Sequence, residues 1–140
     1  MALLPSVRAH LLRGVRTASY SESTGYQFYK LASAAYCGDA ALANWSCAPC
    51  AASNLTASEL QIFHDRKTDA RGFVAMLDGS VVLSFEGTET LTNWLDDLKF
   101  AKTDRNMSCA GCKVHSGFYD CWKGIDAPMV EHVRALINSD

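Results

Sequence analysis

The chain has 140 residues, a formal net charge of −2, 49% hydrophobic residues and 20% charged residues. That is the composition of one globular domain, and it excludes a disordered chain or a coiled coil. The charge balance excludes the strongly basic class of nucleic-acid binders. No apolar run approaches the roughly 20 residues of a membrane-spanning helix, so no transmembrane segment is expected.

The first residues are read apart from the rest. Arg8, Arg13 and Arg16 precede the first acidic residue, Glu22, and the apolar stretch Ala2–Leu4 is interrupted by Pro5 and Arg8. This is no clear signal peptide, so residues 1–22 are expected to be a leader or disordered tail and residues 23–140 the folded body. Tyr26, Tyr29, Ala32 and Tyr36, with Phe28, Leu31 and Ala35, recur at steps of three and four and predict a helix with a wide apolar face, stopped by Gly38. Residues 38–58 read as a loop and residues 60–63 as a short apolar element. Two strand-like runs, Gly72–Leu77 and Ser80–Phe85, flank Asp78-Gly79, a strong hairpin signature because type I′ turns require positive φ. The second run is nearly continuous in apolar residues, as expected of a strand buried on both faces. Residues 86–90 form a turn. Leu91, Trp94, Leu95 and Leu98 then line one face of a short helix, with Asp96 and Asp97 on the other side. After a cysteine-bearing loop, Val114 opens a short strand. An apolar stripe from Phe118 to Ile137 predicts helix, broken near Asp126 because Pro128 belongs in a first turn.

Cysteine usage and sequons bear on the compartment. Six cysteines and three Asn-x-Ser/Thr triplets, at Asn44, Asn54 and Asn106, favour an oxidising, secreted setting. Cys47–Cys50 and Cys109–Cys112 are two C-x-x-C pairs, too distant from each other for a zinc ribbon, and two local disulfides are the expected reading. Cys37 and Cys121 either pair together or take partners outside this chain. No metal and no cofactor is expected. His132, beside Glu131, is read as facing solvent. A non-catalytic secreted binding domain held by disulfides is the alternative reading of the same residues.

Four ordered segments carry a family resemblance. Tyr29–Cys37, Val82–Thr88, Asn93–Leu98 and Cys112–Tyr119 resemble, in order and spacing, segments of the fungal-type (class 3) lipases and their feruloyl-esterase relatives. The resemblance implies an α/β class chain with an incomplete α/β-hydrolase fold: N-terminal helix, β-hairpin, lid-like helix and further helices. It implies ester hydrolysis by a Ser-Asp-His triad whose nucleophile lies in G-x-S-x-G. No such motif occurs in these residues, so the expectation is the N-terminal part of a lipase-like enzyme, inactive alone. Whether the chain is itself an enzyme therefore stays open.

By the same resemblance, Thr88 corresponds to the oxyanion-hole Ser/Thr, and Leu91, Trp94, Leu95 and Leu98 to the lid over the site. A lipid or ester substrate and a lipid interface are the implied partners of the parent. His115 corresponds to a histidine outside the triad, and Cys37 to a cysteine that pairs with a distant C-terminal region. Glu86 departs from the family's usual Arg, a charge reversal beside the expected oxyanion hole.

Overall fold

A computed structural model describes residues 20–87, 102–104 and 109–138. Its elements are α1 (Glu22–Ala34), α2 (Asp39–Ala43), α3 (Ala48–Ser53), β1 (Ala57–Asp65), β2 (Ala70–Leu77), β3 (Ser80–Phe85), β4 (Lys102–Thr103), β5 (Val114–His115) and α4 (Ser116–Asn138). The Ser21 hydroxyl accepts from the Thr24 amide and caps α1, satisfying one of the helix's orphan donors. β1, β2 and β3 form an antiparallel sheet in that order, and β4 pairs with β5.

The β2–β3 hairpin turns at Asp78 and Gly79, with φ of 45° and 79°, the conformation the Asp-Gly pair predicts. The two-residue turn fixes the register, from Leu77 opposite Ser80 to Gly72 opposite Phe85. Pleating then sends alternate β2 side chains to opposite faces. Phe73, Ala75 and Leu77 join Leu31, Ala34, Ala35, Leu42 and Cys50 in the core under α1–α3. Val74 joins Phe63, Ile125, Met129 and Leu136 under α4. The result is three layers, helices on both faces of the sheet.

Several expectations are corrected. β2, not β3, is the strand buried on both faces: among the described residues β3 is the sheet edge, with Leu83 and Phe85 42% and 43% exposed. The pattern of β3 reflects an apolar edge rather than a covered interior. Residues 38–58 are not a loop. They hold α2 and α3, whose Ala-rich turns bury Leu42 and Cys50, and β1 begins within them at Ala57. The element expected at 60–63 is a nine-residue strand.

The aromatic face of α1 is not its buried face. Tyr26, Phe28 and Tyr29 are exposed, and the helix packs through Leu31 and Ala34. Small residues let it approach the sheet closely enough for the Ser84 hydroxyl to donate to the Leu31 carbonyl at 3.1 Å. Likewise α4 is one helix through Pro128, without the break at Asp126. The missing N–H and ring clash cost about 3 kcal/mol. Burial of Ile125, Met129 and Leu136, at about 1.5–3 kcal/mol each, outweighs that cost. Gly124 also serves the packing: a Cβ there would lie 2.5 Å from Asp65 Oδ2 and 2.8 Å from Asp65 Cβ.

Candidate functional site

The end of β3 is the best-anchored polar region of the fold. In the hairpin register the residue facing Arg71 across the strands is Glu86, and the Glu86 amide donates to the Arg71 carbonyl at 2.9 Å. The side chains close the same pair: Arg71 Nη1 donates to Glu86 Oε2 at 2.8 Å. The guanidinium continues outward. Nη2 donates to the Cys37 carbonyl at 2.7 Å and to Asp39 Oδ1 at 2.7 Å, Nε to the same carboxylate at 3.2 Å, and Nη1 to the Ala35 carbonyl. One planar cation therefore ties the end of α1 and the start of α2 to the end of β3. Burial works against its charge, but the Glu86 and Asp39 carboxylates win and hold its pKa above the ordinary arginine value.

This network resolves the charge reversal at Glu86. The acidic residue is matched by a basic one directly opposite, a favourable cross-strand pair. One residue on, the Gly87 amide donates to the Tyr36 hydroxyl at 2.9 Å. The two residues preceding Thr88 are thus fixed by Arg71 and Tyr36. Thr88 itself lies outside the described residues, as do Leu91, Trp94, Leu95, Leu98 and Asn106.

A cavity of about 430 Å³ opens beside this strand end. Its walls include Ala70, Phe85, Gly87, Trp122 and Ile125, with Arg71 and Glu86 at its polar side. Phe85 and Trp122 meet edge-on at 5.9 Å. The cavity therefore joins an apolar floor from α4 to the charged anchor of β3.

The other candidate residues are placed as follows. His115 lies in β5 opposite Lys102, with its ring 5.1 Å from that of Phe118. His132 does not face solvent. It is half-buried, its ring is 6.1 Å from Phe63, and Nε2 bonds the Glu59 carbonyl at 2.8 Å. That carbonyl belongs to a β-bulge between Ser58 and Gln61, where Glu59 takes a φ of 52°, so His132 supplies a partner that the sheet ladder does not. Asn44 and Asn54 are exposed and end α2 and α3.

Cys109 is bonded to Cys112. Cys37, Cys47 and Cys50 gather in one cluster, their sulfurs within 4.8 Å of one another. Cys121 is unbonded and half-buried, and does not meet Cys37. Burial pushes its thiol above the ordinary range. No helix among the described residues is long and apolar enough to cross a membrane.

Sequence reasoning missed Arg71 and Tyr36. For Arg71 the signal was present: a two-residue turn at Asp78-Gly79 places Arg71 opposite Glu86 by counting. Tyr36 carries no such signal, because its bond to Gly87 spans elements packed only in three dimensions.

Comparison with known proteins places this geometry. Residues 82–140 match the family described as Lipase (class 3). A secreted mono- and diacylglycerol lipase A from Penicillium cyclopium is 29% identical over 72 residues, covering 50% of this chain and 23% of that protein. A lipase from Rhizomucor miehei is 29% identical over 127 residues, covering 86% of this chain and 34% of its own. Among solved structures, lipase II from Rhizopus niveus superposes with a TM-score of 0.71 at 22% identity, covering 84% of this chain and 45% of that one. Rhizomucor miehei triacylglyceride lipase gives 0.66 at 24%, covering 86% and 47%. The chain thus spans less than half the length of each. The described architecture is an incomplete α/β-hydrolase fold. From Val82 to Asp140, the stretch that follows the hairpin turn, the chain is similar to the class 3 lipase family.

Proposed function

We propose that this chain supplies the N-terminal part of a secreted, lipase-like carboxylic ester hydrolase acting on acylglycerol or related esters. The observation that carries this reading is the doubly anchored strand end, Glu86–Gly87, immediately before Thr88. An oxyanion hole demands donors whose positions are fixed before charge develops, because a donor that must reorganise loses its advantage. Arg71 and Tyr36 provide that fixity from outside the site.

In this reading the Thr88 N–H and hydroxyl face the carbonyl oxygen as it becomes negative. Residues 89–98 cover the site as a lid whose Leu91, Trp94, Leu95 and Leu98 face a lipid surface on opening. The residues of the triad come from elsewhere in the parent, since G-x-S-x-G does not occur in this sequence. Without a nucleophile–base pair the 140-residue chain turns over no ester.

The test takes the open reading frame beyond the Asp140 codon. It is expected to continue into a strand and G-x-S-x-G, and the complete product to hydrolyse a short-chain nitrophenyl ester. In that product Thr88→Ala, which deletes the hydroxyl donor, lowers kcat about 10²-fold with little change in KM. A stop codon directly after Asp140, or triad-free turnover by the 140-residue chain, would overturn the reading.

A further inference from the structure

We propose that Asn54 is an N-glycosylation site, occupied as the chain passes through the secretory lumen. This rests on the secreted part of the reading above, since only there does a chain meet the donor, a lipid-pyrophosphate-linked oligosaccharide. Asn54-Leu55-Thr56 is an Asn-x-Thr triplet, which offers an amide nitrogen together with the hydroxyl that the transfer requires. Asn54 closes α3 in the left-handed conformation, with φ of 57° and ψ of 28°. Asn tolerates that region better than most side chains, so the cap gives the residue a reason of its own. The cap makes no demand on the residue two positions later.

Both ends of the triplet face water. Asn54 bonds through its backbone N–H to the Ala51 carbonyl, and Thr56 through its own to Asp78 Oδ1 at 3.0 Å; neither side chain is tied to another described residue. A sugar on Asn54 therefore displaces no contact, and its bulk and hydration stay outside the core. The first triplet differs. Asn44 is exposed, but Ser46 Oγ donates to the Ala41 carbonyl at 3.4 Å, and Trp45 between them is half-buried, its Nε1 donating to the Leu55 carbonyl at 3.0 Å. Position also favours Asn54. The Asp78 amide donates to the Thr56 carbonyl at 3.3 Å, which fastens the triplet to the turn of the hairpin. From that turn β3 runs six residues to Phe85, about 20 Å of strand. The glycan thus stands at the opposite end of β3 from Glu86–Gly87, clear of the proposed ester site.

In the transfer, Asn54 Nδ2 attacks the anomeric carbon of the oligosaccharide. The new N–C bond forms as the bond from that carbon to the pyrophosphate oxygen breaks. The lipid pyrophosphate leaves with the electron pair, and one Nδ2 proton passes to the transferase. Nothing is oxidised or reduced, and Asn54 keeps one side-chain N–H.

The test places the full chain behind a cleavable signal peptide and synthesises it into microsomes. Peptide N-glycosidase in heavy-oxygen water then converts each glycosylated asparagine to a labelled aspartate. Cleavage after Trp45 separates position 54 from Asn44. Mass spectrometry is expected to read position 54 as labelled aspartate in the wild type. Thr56→Ala abolishes the label while leaving Asn54 and its helix cap in place, and Thr56→Ser lowers it without abolishing it. The proposal fails if position 54 stays unlabelled asparagine in the wild type, or if the label persists in Thr56→Ala. No ester is hydrolysed in this measurement, so such a failure strikes the glycan site alone. A stop codon directly after Asp140 strikes the ester-hydrolase reading and leaves the result at position 54 standing.

Discussion

Replacing Arg71 by Met tests the anchoring of the β3 end most directly. The side chain is 11% exposed, and its loss deprives four acceptors at once: the Glu86 and Asp39 carboxylates and the carbonyls of Ala35 and Cys37. These are not equal. Asp39 is 73% exposed, so water replaces the guanidinium there and that pair is worth at most about 0.5 kcal/mol. Glu86 is 26% exposed and keeps a partly desolvated charge with its partner gone, which costs about 1–2 kcal/mol. The two carbonyls lose charge-assisted bonds in a part-buried place, adding about 1 kcal/mol.

Arg71→Met therefore destabilises the chain by about 2–4 kcal/mol in urea unfolding followed by circular dichroism. Glu86→Gln costs less, and Asp39→Asn least. The sharper arm is charge exchange. Glu86→Arg sets two cations opposite each other and is worse than Glu86→Gln by about 1 kcal/mol. The double variant Arg71→Glu with Glu86→Arg recovers that cross-strand increment while forfeiting the bonds to α1 and α2. A cost under about 0.5 kcal/mol for Arg71→Met, or a larger effect at Asp39 than at Glu86, would falsify the account of Arg71 as the node of this network.

The remaining predictions concern other contacts. Gly124→Ala drives a methyl group into Asp65 and costs about 1–3 kcal/mol by overpacking, read from the same unfolding curves; a neutral or stabilising result would mean that α4 shifts freely on the sheet. Asp65 is held below its ordinary pKa of 3.8, chiefly by the Thr68 hydroxyl at 2.6 Å. A depressed carboxylate stabilises the fold above its unfolded pKa and loses that effect as pH falls through the folded value. The stability difference between wild type and Asp65→Asn should thus be flat above about pH 5 and shrink below about pH 4; a pH-independent difference refutes the assignment. Tyr36→Phe removes the acceptor for the Gly87 amide at an exposed site, so stability changes by less than about 1 kcal/mol. Hydrogen exchange at the Gly87 amide should nevertheless accelerate, and unchanged protection would dismiss Tyr36 as an anchor.

Legibility followed the range of the interactions. The hairpin was readable because Asp78-Gly79 is a local device: two residues set the turn, the register and even the Arg71–Glu86 opposition. The first helix was readable for the same reason, yet its buried face was not. Periodicity marks where apolar side chains lie on a helix, but not which of them the sheet covers. Leu31 and Ala34 won over three aromatic residues because Leu31 fills the core while small Ala34 lets the helix approach β3 closely. Residues 38–58 read as loop because small and polar residues fill the stretch, while the short helices there gain their order from packing Leu42 and Cys50 against Phe73.

What the sequence by itself determined is therefore the first helix, the hairpin with its register, and the ordered motifs similar to those of the class 3 lipases. Each of these rests on neighbours within a few residues or on fixed spacing. The tertiary structure alone decided which strand is buried on both faces, that α4 runs unbroken through Pro128, and that three cysteines from two segments share one cluster. It also decided how Tyr36 reaches Gly87 across the fold. These outcomes depend on competition between distant surfaces for the same buried space, and burial is a property of the assembled layers rather than of any window along the chain.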